Sequence, residues 1–187
     1  MRPQKIDDQV LLEALTHTFR LKGYEGASLK DLSEATGLKK ASLYHRFPKG
    51  KQEMAETVLK HMEAWVAQHV FQALQQPDTP AEIRLTKALS HIRTLYNNGH
   101  DNCIFKAFSM QEGSDLFQNL ISSGLNDWLD GFTAFGQSAG FPPAKAKDMA
   151  LASLIAIQGS LILSKGLNNT LIFENTLKDI YIKYLKE

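Results

Sequence analysis

A single cysteine, Cys103, stands in 187 residues, so no disulfide can close within the chain. That fits a reducing compartment, and cytoplasmic localisation is the expectation. Neither charge sign dominates: 21 Lys and Arg face 20 Asp and Glu, a formal net charge of +1. The most apolar run, residues 149–163, is too short to span a bilayer and is interrupted by Ser153, Gln158, Gly159 and Ser160. No secretory pattern opens the chain, and no repeat or low-complexity stretch occurs. Absent too are a phosphate-cradling Gly loop and a nucleophile elbow. His61 and His69 lie eight apart with no acid or Cys to complete a metal set, and His17, His91 and His100 stand isolated. No catalytic residue, metal or cofactor is expected.

No segment alternates like a strand, so the fold class reads as all-α, with about nine helices. Val10, Leu11, Ala14, Leu15 and Phe19 give the first helix one face. A long helix spans about residues 50–75, with Met54, Val58, Met62, Trp65 and Val66 on one side, and the Pro77–Pro80 region ends it. Further helices are expected at about 80–98, 104–110, 114–139, 143–165 and 171–186.

Residues 28–51 carry the chemistry. Ser28 can cap a helix, with Asp31 where a capping box wants an acid. Leu29 and Leu32, with Ala35 or Thr36, form its stripe, and Gly37 suits a left-handed turn. Leu38 restarts the pattern, Leu43 and Phe47 continue it, and Pro48 and Gly50 end it. At about 100° per residue, Leu43 and Phe47 face inward while Ala41 and His45 point the other way. Ser42 and Tyr44 flank, and Lys39 and Lys40 project from the tip. Such a helix enters a major groove: Lys40 can reach guanine acceptors and Ala41 a thymine methyl. Tyr44, His45 and Lys51 are placed for phosphate. Helix-Gly-helix turns also occur in proteins that never meet DNA. Charge leans toward DNA: residues 1–60 hold 11 basic against 8 acidic side chains, leaving 10 against 12 for the rest.

The sequence Gly37-Leu38-Lys39-Lys40-Ala41-Ser42-Leu43-Tyr44, closed by His45-Arg46-Phe47-Pro48 and preceded by Ser28-Leu29-Lys30-Asp31-Leu32, closely resembles the DNA-binding domain of TetR-family bacterial transcriptional regulators. The match covers about residues 6–60. Pro48-Lys49-Gly50-Lys51 has one residue more than most members and resembles an LmrA- and YxaF-like subgroup. Lys39 stands where the family often has a capping Ser. The resemblance implies a helix-turn-helix domain at 5–60 and a ligand-binding and dimerisation domain at 61–187. It implies Ser28 and Lys51 as phosphate contacts, with Lys39, Lys40, Ala41, Ser42, Tyr44 and His45 completing the DNA-facing set.

The helix at 143–165 is apolar almost all round and reads as buried on several sides. With Leu171, Ile172, Leu177, Ile180, Tyr181 and Tyr184 beyond it, the apolar surface exceeds one monomer's need, and the resemblance implies a homodimer through these two helices. Trp65, Phe105, Phe108, Phe117, Trp128 and Phe132, with Gln158 as a polar contact, are the expected lining of a pocket for a small, largely apolar effector. Such aromatics are also ordinary core residues. The function expected is a repressor released from palindromic double-stranded DNA by that effector. A DNA-binding adaptor of the same fold without a ligand is the alternative, and a Cys103 thiol enzyme a remoter one.

Overall fold

The computed structural model describes residues 6–185, and the expected limits at residues 5, 186 and 187 lie outside them. Among the described residues the regular elements are helical: α1 (Asp8–Gly26), α2 (Leu29–Thr36), α3 (Lys40–Arg46), α4, α5 (Ala81–Leu95), α6 (Ile104–Phe108), α7 (Gln111–Ser138), α8 (Pro143–Gly166) and α9 (Leu171–Leu185). The helix α4 starts as Lys51–Val66, widens into a π turn at Ala67–Phe71 and ends as Gln72–Gln75.

Two compact units result. The first holds the chain through Glu63 together with Ile104–Ile121, a return from later in the sequence that no periodicity announces. Asp7 starts α1, its Oδ1 accepting from the Gln9 amide at 2.9 Å. Leu11, Leu15 and Phe19 are buried one turn apart. Val10, placed on the same face by the sequence, is 53% exposed. It lies about 100° round the helix from Leu11, outside the line that Leu15 and Phe19 continue. Gly23 interrupts α1 with φ 74°. Leu32, Leu38, Leu43, Phe47, Met54, Ala55, Val58 and Leu59 are buried in this unit as well.

The second unit holds residues 64–103 and 122–187. Its buried Arg84 on α5 donates from Nη1 to the Leu74 carbonyl at 2.7 Å and to Ser138 Oγ at 3.0 Å. The guanidinium lies over the Phe135 ring, 5.2 Å from its centre. A cation among the carbonyls that end α4 suits the negative end of that helix. In α8, Met149, Ala150, Ser153, Leu154, Ile157, Ser160 and Leu161 are buried. Phe173, Leu177, Ile180 and Tyr184 of α9 are buried as well.

The expectation that α8 is covered on several sides needs correction for the single chain. Leu151, Ile155, Ile162 and Leu163 are open, Ile155 by 62%. On α9, Leu171 and Ile182 are open too. All-round apolarity here marks two faces, one inside the unit and one outside it. The helix is long and apolar enough to cross a membrane by length and composition, with mean hydropathy 1.4. Its buried face nevertheless carries Ser153, Ser160 and Ser164, whose hydroxyls are used within the unit: Ser153 donates to the Met149 carbonyl and Ser164 accepts from the Phe173 amide.

Candidate nucleic-acid interface

The site rests on two helix ends. Ser28 caps α2 through a complete capping box: its Oγ accepts from the Asp31 amide at 3.2 Å, and Asp31 Oδ2 accepts from the Ser28 amide at 2.9 Å. Lys22 Nζ meets Asp31 Oδ1 at 2.6 Å. This hydrogen-bonded ammonium, followed by the Ser28 donors, holds the Asp31 carboxyl far below its ordinary range. Gly37 then turns the chain with φ 67° and ψ 4°, the left-handed form expected of it.

The second helix of the motif, α3, follows. Lys39 precedes it with extended backbone and no side-chain cap, as a lysine without an acceptor oxygen must. Leu43 is fully buried and Phe47 nearly so, which anchors one side. Lys39, Lys40, Ala41, Tyr44 and His45 are exposed, and Ser42 is half-buried. These residues are therefore accessible around the side of α3 away from Leu43, with Ser42 partly covered. A short, basic helix with small residues at its centre can approach a groove edge closely.

Three features were not evident from the pattern. Arg46 ends α3 in an ion pair with Asp8 Oδ1 at 2.7 Å, which ties it to the start of α1. Only a contact between distant segments reveals that role. Gly50 adopts φ 70° directly under Tyr44, where a Cβ would stand 3.1 Å from the ring. Lys51, expected at phosphate, donates from Nζ to the Tyr24 carbonyl at 2.8 Å and lies 4.3 Å from the Tyr24 ring centre. Its ammonium thus has a partner within the unit.

The residues expected to bind an effector fall into separate surroundings. In the first unit, Phe108 packs against Phe19 at 5.2 Å and against Phe117 at 5.2 Å, while Phe117 meets Tyr24 at 4.9 Å. Phe105 is buried in the same unit. In the second, Trp128 packs on Phe71 and Phe132, with ring centres 5.7 and 6.2 Å away. Trp65 stacks on His69 at 4.4 Å, and Gln158 Nε2 donates to Tyr96 Oη at 3.4 Å. The sequence grouped these seven by residue type, which carries no information on which unit each joins. Cys103 is 4% exposed, with Tyr96 Oη 4.0 Å from its sulfur. A buried thiol of this kind is poorly placed as a nucleophile.

Residues 11–58 match the model of the bacterial regulatory proteins of the tetR family. The chain is 22% identical to the HTH-type transcriptional regulator LmrA of Bacillus subtilis over 166 residues, covering 86% of this chain and 87% of LmrA. It is 31% identical to the uncharacterized HTH-type regulator YxaF of the same organism over 72 residues, 38% of each chain. A TetR transcriptional regulator from Legionella pneumophila shares the fold with a TM-score of 0.82 at 19% identity, over 95% of this chain and 97% of that one. The regulator CifR, solved with 26-bp operator DNA, shares it with a TM-score of 0.71 at 20% identity, over 95% and 98%. The segment 11–58 thus matches the helix-turn-helix domain of the tetR family, and the relatives that this chain resembles over most of its length are DNA-binding transcriptional regulators and not enzymes.

Proposed function

We propose that two copies of this chain bind a palindromic operator and repress transcription in the cytoplasm, and that a small, largely apolar effector releases them. The observation that carries DNA binding is the exposed Lys39–His45 surface of α3, backed by the buried Leu43 and Phe47. The open apolar face of α8 and α9 supports the dimer, because one short recognition helix alone binds weakly and unselectively. Two-fold pairing would set two α3 helices on half-sites about one helical turn apart, roughly 34 Å. Ser28 and Lys51 would hold phosphates, and Lys40, Ala41 and Ser42 would meet base edges. Lys51 would then exchange its Tyr24 carbonyl for a phosphate oxygen.

The effector part rests on the aromatic-rich second unit, above all Trp65, Trp128, Phe132 and Gln158. An effector coupled negatively to DNA by the usual 1–3 kcal/mol would lower operator affinity by about 5–150-fold. The helix α4, which runs from Lys51 through Trp65, is the element proposed to carry that coupling. The full burial of Phe108 and Phe117 in the first unit and of Phe132 in the second favours a second reading, a DNA-binding adaptor without a small ligand. Thermal shift against a panel of metabolites and drugs separates the two: a stabilising compound that also lowers DNA affinity supports the effector.

Selection from random duplexes tests the main reading. The expected product is a two-fold symmetric consensus whose affinity falls steeply with salt. Recovery of no salt-sensitive binder, or of an unpaired half-site alone, would overturn the repressor dimer.

A further inference from the structure

His69 and His91 are far apart in sequence, yet α4 and α5 bring their rings to 5.3 Å between centres. We infer that this pair is a binding site for one borderline divalent cation of the Cu2+, Ni2+ or Zn2+ class. The argument begins with the tautomer of His69. Its Nδ1 lies 2.8 Å from the Trp65 carbonyl oxygen. A carbonyl only accepts, so Nδ1 carries a proton, and in the neutral ring the lone pair is then on Nε2. A ligating histidine is commonly oriented by this kind of backbone hydrogen bond.

Trp65 fixes the ring further by stacking on it at 4.4 Å with 17° between planes. With Trp65 over one face, His91 at 5.3 Å from His69 and 6.2 Å from Trp65 must lie off the edge of the His69 ring. Metal–nitrogen bonds of about 2.0–2.1 Å and an angle of roughly 90–110° place two ligating imidazole centres about 4.5–5.3 Å apart. The observed separation falls at the tetrahedral end of that range.

The surroundings suit an ion with open positions. Among the described residues no hydrogen bond engages the His91 ring, so its nitrogens are open to a ligand. His91 also lines an open groove of about 480 Å³ with Glu82, Ser90 and Lys87, through which water can complete the coordination. His69 sits at the centre of the π turn Ala67–Phe71, a widening often found at functional positions. Lys87 opposes a cation, but it is exposed and screened by water. An ion held here would pin the second half of α4 to α5.

The full chain is titrated with Cu2+ at neutral pH, followed by tryptophan fluorescence and by electron paramagnetic resonance at one equivalent. The expected result is saturable quenching at one ion per chain, with two imidazole nitrogens on the copper. His69→Gln and His91→Gln should each weaken binding about tenfold or more, whereas His61→Gln should leave it unchanged. Lys87→Ala should tighten it. Acidification to pH 5 should release the ion as the imidazoles protonate. Affinity unchanged in both histidine variants would overturn the site, as would absence of saturation. Should a variant fail to fold, the nitrogen count on the unaltered chain decides: two imidazoles support the site, and fewer overturn it.

Discussion

Asp31 holds three roles with one carboxylate: capping-box acid, partner of Lys22 and acceptor from the Ser28 hydroxyl. Its pKa is lowered in the folded chain, so the stabilisation it gives is present above its ordinary pKa of 3.8 and is lost as pH falls below that. Asp31→Asn should flatten the acid limb of the Tm against pH curve, and Ser28→Ala should cost about 1 kcal/mol in denaturant unfolding. Tyr184 behaves in the opposite sense. Burial raises its pKa from 10.0 to about 12, partly offset by the Ser153 hydroxyl. The unfolded chain therefore loses this proton first, and stability should decline as pH rises above 10, by up to about 1.4 kcal/mol per pH unit. Tyr184→Phe should lessen the alkaline decline in pH-dependent calorimetry, leaving the part due to Tyr24 and Tyr181, whose pKa values are raised as well. The capping box was legible because it is a local pattern of four residues. The Tyr184 environment was not, since it depends on residues from α7 and α8.

At the scale of elements, α2 and α3 were readable because each helix start, stop and stripe is written within a dozen residues. The outward set Lys39–His45 followed from rotation alone. What rotation could not show is where a long cation folds back. Lys51 was assigned to phosphate by position, and its bond to the Tyr24 carbonyl depends on a segment 27 residues away. Two substitutions separate the roles. Lys40→Ala should relax base preference at one operator position by about 1–3 kcal/mol in competition binding. Lys51→Ala should lower the slope of log affinity against log salt by about 0.9 if the side chain meets a phosphate. An unchanged slope with a lower Tm would leave it as a tie to α1. The same limit explains α8: its all-round apolarity was plain, but which half faces the unit was not.

For the whole molecule, the open apolar line of Leu151, Ile155, Ile162 and Leu163 is the proposed dimer seam. Ile155→Glu places a charge in it without touching the buried face of α8. Sedimentation should shift from dimer to monomer, and operator affinity should fall by two or more orders of magnitude while helicity stays constant. A dimer that survives this change would locate the seam elsewhere. The grouping of Phe105, Phe108 and Phe117 with the first unit belongs to this scale as well. Residue type told that they would be inside, and only the return of residues 104–121 determined inside what.

Gly50 lies beneath the Tyr44 ring in a backbone form that side chains resist. The ring is thus seated against bare main chain before any duplex arrives, although 46% of the residue stays open. A side chain already confined has less rotational freedom to surrender when it docks, which for an aromatic anchor is worth roughly 0.5–1.5 kcal/mol. If Tyr44 meets the duplex as proposed, the extra residue in the Pro48–Lys51 junction lowers the entropy lost on docking, because the ring enters the complex already confined.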